Sequence, residues 1–140
     1  VQAFFRLLKS LPFGERQMRR VYLALSLGII VLGKIHIAAT PRYFTQLTSA
    51  SVWFASGGLA MILTGALNIL RRRYGAVAPG LRVVCVAANV VMTSFALVAG
   101  DAGKASAVEF LLVLILVGGA TVFSLLPAAQ QPASGASGAA

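Results

Sequence analysis

Four runs of apolar positions fill most of this 140-residue chain, over 21–39, 52–70, 81–99 and 107–126. Polar residues are sparse inside the runs and collect in the gaps between them. A helix needs about 20 apolar residues to cross a hydrocarbon core ~30 Å thick, and each run meets that length. In lipid, backbone polar groups must be satisfied within helices or a closed barrel. The runs are continuous rather than alternating, which excludes barrel strands. The pattern therefore predicts an all-α fold, an integral membrane four-helix bundle.

The flanks have different patterns. Within residues 1–13, Phe4, Leu7, Leu8 and Leu11 share one helical face, and Gln2, Arg6 and Lys9 fall on the other. This spacing predicts an amphipathic helix lying at the membrane interface, ended by Pro12 and Gly14. Residues 128–140 are Ala, Gln, Pro, Ser and Gly, which predicts a flexible tail. Tyr22 and Tyr74 are placed at one membrane boundary, and Tyr43, Phe44, Trp53 and Phe54 at the other, as an aromatic belt. Thr40-Pro41 is expected to end the first span, and Pro79-Gly80 to turn the chain into the third.

Composition supports lipid as the solvent: 59% of residues are hydrophobic and the mean hydropathy is +0.88. The net charge of +9 suggests nucleic acid until the charges are located. Arg6, Lys9, Arg16, Arg19 and Arg20 precede the first span, and Arg71, Arg72, Arg73 and Arg82 surround the connection between spans 2 and 3. Only Lys34, Arg42 and Lys104 belong to the other side. Nine against three is a positive-inside pattern. It predicts cytoplasmic termini and anionic lipid headgroups as partners, with no nucleic acid. The first run is longer than the apolar core of a signal peptide, about 7–15 residues, and reads as a permanent span.

Helices in lipid meet through small and polar side chains. Span 2 carries Ser56, Ala60, Thr64 and Asn68 at i, i+4 spacing, flanked by Gly57, Gly58 and Gly65. Span 3 carries Cys85, Asn89 and Thr93 at the same spacing, with Ala88 and Ala96 nearby. These two rows are expected to face each other, with Thr64 and Asn89 at similar depth. An amide in hydrocarbon without a partner costs several kcal/mol, so Asn89 requires one. Gly118 and Gly119 allow a close approach of span 4. Cys85 is the sole cysteine, so it makes no internal disulfide and is expected to act as a small buried group.

Ionisable groups inside a membrane are functional candidates. Lys34 and His36 stand near the outer end of span 1, Glu109 near the outer start of span 4, and Trp53 and Ser56 reach the same layer. These five form the candidate ligand-binding site. Residues two apart point about 200° apart on a helix, so Lys34 and His36 cannot both face the bundle centre. A Lys34–Glu109 pair competes with snorkelling of Lys34 to the interface. One histidine cannot supply bis-histidine haem ligation, and one His with one Glu makes a thin metal site. The expectation is no catalytic residue, no metal and no cofactor. Quinone-linked disulfide chemistry lacks its cysteine pair, and no motif supports a Ser/His dyad.

Gly33-x-x-His36, Thr40-Pro41, Trp53-Phe54-x-x-x-Gly58-Leu59, Leu67-Asn68 and Leu81-Arg82-x-x-Cys85-x-x-Ala88-Asn89 together resemble a group of small bacterial four-span proteins. The chain is distantly similar to DoxX-type four-helix proteins. The resemblance implies a fold and a bacterial inner membrane, not a reaction. It carries over His36, Thr40, Trp53, Gly58, Asn68 and Asn89 as a fold-defining set. The leading expectation is a non-enzymatic accessory or scaffold subunit of a larger membrane complex, or a homo-oligomer. The alternatives are a small-molecule or lipid-binding, transport-linked protein using the outer layer, and a quinone- or haem-contacting subunit of a redox complex.

Overall fold

A computed structural model describes residues 14–102 and 107–126. The expected interfacial helix over 1–13 and the tail over 128–140 lie outside the described residues. Four helices make up the described chain: α1 (Glu15–Tyr43), α2 (Ser49–Tyr74), α3 (Pro79–Ala102) and α4 (Ala107–Ser124). No strand occurs among the described residues. Each helix is long and apolar enough to cross a membrane, and the chain has the pattern of a multi-pass membrane protein.

Local chemistry sets the helix ends. The α2 start is a capping box: Ser51 donates its backbone N–H to the Thr48 hydroxyl (3.2 Å), and the Thr48 backbone N–H donates to the Ser51 hydroxyl (2.8 Å). These bonds satisfy donors a helix start leaves orphaned. Arg71, Arg72 and Arg73 occupy the last turn of α2, where cations complement the helix dipole. Pro79 opens α3, a position where its missing N–H has no intrahelical partner to lose.

α1 runs through Pro41 instead of stopping at Thr40. Pro41 stands in the final turn, where only one backbone bond is lost. The Thr40 hydroxyl donates to the His36 carbonyl (3.3 Å), and the Phe44 N–H closes the helix on the Thr40 carbonyl (3.0 Å). α4 contains a wide π-helical turn over Leu114–Gly118, and the Gly119 N–H reaches the Ile115 and Leu116 carbonyls.

The helices form a ring in which α1 and α3 each touch both α2 and α4. The most extensive contact is α1 with α2, and glycine creates it. A Cβ on Gly33 would lie 2.5 Å from the Gly58 carbonyl oxygen, and one on Gly65 would lie 2.7 Å from the Ser26 carbonyl oxygen. The backbones therefore touch directly. Tyr22, Ile29, Met61, Met92, Val117 and Ala120 fill the centre.

Polarity is inverted relative to a water-soluble bundle. Ser26, Asn68, Arg71, Asn89 and Ser124 are fully buried, while Leu63, Val83, Val91, Val98 and Ile115 are each more than 60% exposed. Lipid tails solvate such an exterior, and water does not.

Candidate functional site

The buried polar residues concentrate near the end of the bundle that carries Arg71–Arg73, called the basic end below. Tyr22 projects from α1 two turns after its start. Asn68 and Arg71 are three apart on α2 and share a face. Cys85 and Asn89 are four apart on α3. All five side chains are fully buried.

Asn68 is the hub. Its Nδ2 donates to Asn89 Oδ1 (3.0 Å), and Asn89 Nδ2 donates back to Asn68 Oδ1 (2.7 Å). The same Asn68 oxygen accepts from the Tyr22 hydroxyl (2.7 Å) and the Cys85 thiol (2.8 Å). A carbonyl oxygen has two lone pairs, so three donors share them. The Tyr22 hydroxyl and the Cys85 sulfur are 3.6 Å apart, which offers the pair a second arrangement. Three helices are thus tied at a single amide. One turn further from the basic end, the Thr93 and Thr121 hydroxyls meet at 2.8 Å, joining α3 to α4, and both lie within reach of the Asn89 carbonyl.

Arg71 closes the cluster. Its Nη1 donates to the Tyr22 hydroxyl (3.3 Å), its Nη2 to the Leu126 carbonyl (3.5 Å), and its guanidinium carbon lies 5.7 Å from the centre of the Tyr22 ring. Arg82, exposed at the start of α3, donates to the Leu125 carbonyl (3.0 Å). A helix leaves its last carbonyls without intrahelical partners. Two arginines, from two other helices, take the carbonyls of Leu125, which caps α4, and of Leu126 just beyond it.

At the opposite end the ligand-binding candidates are spread out. His36 is half-buried and stacks on Phe54, with ring centres 3.9 Å apart and planes 19° apart. Tyr43 and Phe44 surround the same Phe54 ring at 5.7 and 5.6 Å. Lys34, Trp53, Ser56 and Glu109 are exposed, and the Ser56 hydroxyl donates to the carbonyl of Trp53 (2.8 Å). A shallow apolar groove of about 400 Å³ runs between α1 and α2 here, lined in part by Thr40, Leu47, Val52, Ser56 and Leu59. Among the described residues no group of three His, Cys, Asp or Glu side chains is placed to hold a metal.

The packing candidates divide between neighbours. Gly58 and Gly65 face α1, and Gly57 lies beside the His36 ring. Asn68 meets Cys85 and Asn89, and Thr93 meets α4. Thr64 is buried but donates to the Ala60 carbonyl of its own helix (2.8 Å) rather than toward Asn89. Ser56 and Ala60 are exposed. Gly119 packs against Leu25, and Gly118 has open space around its Cα. The span 2 row does not face α3 along its whole length because an i, i+4 row turns about 40° per step. Ser56 and Asn68 consequently point roughly 120° apart, and only the basic-end member reaches α3.

Tyr22, Arg71 and Thr121 belong to the site but stand out weakly in sequence. Tyr22 reads as a belt aromatic and Arg71 as a topology charge. One usable clue is position: Arg71 falls three residues after Asn68, on the face that a buried amide must occupy.

The fold and its interior define a four-helix membrane bundle knitted by a buried Tyr–Asn–Cys–Asn–Arg network. No family model, curated protein or solved structure matches the chain.

Proposed function

We propose that this protein is a non-enzymatic accessory or scaffold subunit of the bacterial inner membrane, of the small four-span type its motifs resemble, assembling with a larger membrane complex. The observation that carries the reading is the Asn68–Asn89 pair with its Tyr22, Cys85 and Arg71 partners. These interior groups, the Arg71 Nε excepted, bond chiefly to one another and hold helices in place. The strongly apolar outer faces of α3 and α4, with Val83, Val91, Val98 and Ile115, offer lipid or a partner's spans a surface without polar obstacles. The basic end faces the cytoplasm in this reading, by the positive-inside bias.

Purification from native membranes in mild detergent tests it. A membrane protein recovered in fixed ratio with the chain is expected; a clean monomer or homodimer overturns the scaffold reading. A reporter fused after Gly138 is expected to stay cytoplasmic, and export would reverse the orientation.

The groove beside Thr40 and Ser56, one helical turn from His36, favours a second reading, an outer-leaflet lipid or small-molecule site. Here His36→Ala is expected to reduce ligand binding and leave assembly intact.

A further inference from the structure

Arg71 is a fully buried cation, and among the described residues no carboxylate is bonded to it. The chain has three acidic residues, Glu15, Asp101 and Glu109. Asp101 lies in the last turn of α3 and Glu109 in the first turn of α4, both at the end of the bundle away from Arg71. Glu15 begins α1 and is exposed. A buried charge without an opposite charge is costly, and proteins normally pair it. The Arg71 Nε is buried with no partner at all, and so is the Arg72 Nε.

A second charge stands close by. Arg71 and Arg82 bond to carbonyls of consecutive residues, Leu126 and Leu125, so two guanidinium groups converge on the end of α4. A helix C-terminus carries about half a negative charge, which leaves most of two positive charges uncompensated. The Arg71 bond to Leu126 is long, at 3.5 Å, and an oxyanion is a better acceptor for the same donors. Arg82 is exposed and gives an anion access from the interface.

We propose that Arg71 and Arg82 form an oxyanion site at the basic end, taking a phosphate group. Planar guanidinium groups suit phosphate, which they grip with paired hydrogen bonds. The group arrives either on the head of an anionic phospholipid in the adjoining leaflet or as a free phosphate. The bound anion supplies the counter-charge that Arg71 lacks and joins α2 and α3 to the end of α4.

The test uses the full chain in neutral detergent at about 0.5 M salt, where diffuse attraction to exposed cations is screened. Thermal stability is titrated with phosphatidylglycerol, with inorganic phosphate, and with diacylglycerol as the phosphate-free control. Phosphatidylglycerol raising the melting temperature while phosphate does not assigns the site to lipid; a rise with inorganic phosphate assigns it to a free anion. A response to neither, or an equal response to diacylglycerol, overturns the proposal. Because Arg71→Gln risks misfolding, Arg82→Gln is the deciding variant, with binding expected to weaken roughly tenfold. Arg73→Gln, which removes an exposed arginine beside Tyr74, is expected to bind like wild type. Equal loss in both variants, or no loss in Arg82→Gln, overturns the site.

Discussion

Asn68 and Asn89 grip each other through two reciprocal amide hydrogen bonds, 3.0 and 2.7 Å long, between α2 and α3. The pair satisfies two buried amides at once, but not symmetrically: Asn68 also accepts from Tyr22 and Cys85. Replacing Asn68 by Leu strands three donors, and replacing Asn89 strands fewer. Asn68→Leu is expected to destabilise by about 2 kcal/mol and Asn89→Leu by about 1 kcal/mol. The double variant should cost less than the sum of the two. Reversible unfolding in mixed detergent–SDS micelles measures all three, and strict additivity would argue against a coupled pair.

Tyr22 links two demanding groups, since its hydroxyl donates to Asn68 and accepts from Arg71. Tyr22→Phe keeps the ring and removes only the oxygen, leaving one Arg71 donor bare. Hydrogen bonds to charged groups contribute about 1.5–3 kcal/mol, so a loss near the lower end of that range is expected. In an Arg71→Leu background the same change should cost clearly less. An equal cost in both backgrounds would place the effect outside the Tyr22–Arg71 bond.

Close backbone approach makes Gly33, Gly58 and Gly65 intolerant of any side chain. At Gly65 an added methyl would also meet Ile30 Cγ1 at 2.6 Å. Forcing atoms into a packed contact costs about 1–3 kcal/mol, so Gly→Ala at each of these sites should lower stability by that order. Gly80, with nothing within 4 Å of its Cβ direction, is the control, and Gly80→Ala should be neutral. The same micelle unfolding assay reads the contrast.

Cys85 is a free thiol, buried and hydrogen-bonded to Asn68. Reaction needs an accessible thiolate. N-Ethylmaleimide should leave the folded protein unmodified by intact mass, and SDS denaturation should render Cys85 fully reactive. Asn68→Leu should speed labelling before denaturation. Fast labelling of the native wild-type protein would contradict the burial.

Much of this architecture was legible in one dimension, for a physical reason. Lipid demands helices of a minimum apolar length, so 21–39, 52–70, 81–99 and 107–126 identify the spans with no knowledge of contacts. The need of Asn89 for a partner follows from hydrocarbon alone. Helix ends were less legible. α1 passes Pro41 because a proline in the last turn removes only one backbone bond.

The partners of each side chain were settled only by packing. The i, i+4 row on α2 and its flanking glycines read as one interface, yet Gly58 and Gly65 lie against α1 while Asn68 meets α3. Arg71 reads as one more charge in a cationic cluster, and only its position against Tyr22 and Leu126 makes it a buried one. His36 joins Phe54, while Lys34 and Glu109 stay at the surface. Hydrophobicity along a chain determines how many times it crosses a bilayer. Which faces then meet depends on helix rotation and backbone separation, and these arise only when all four helices pack together.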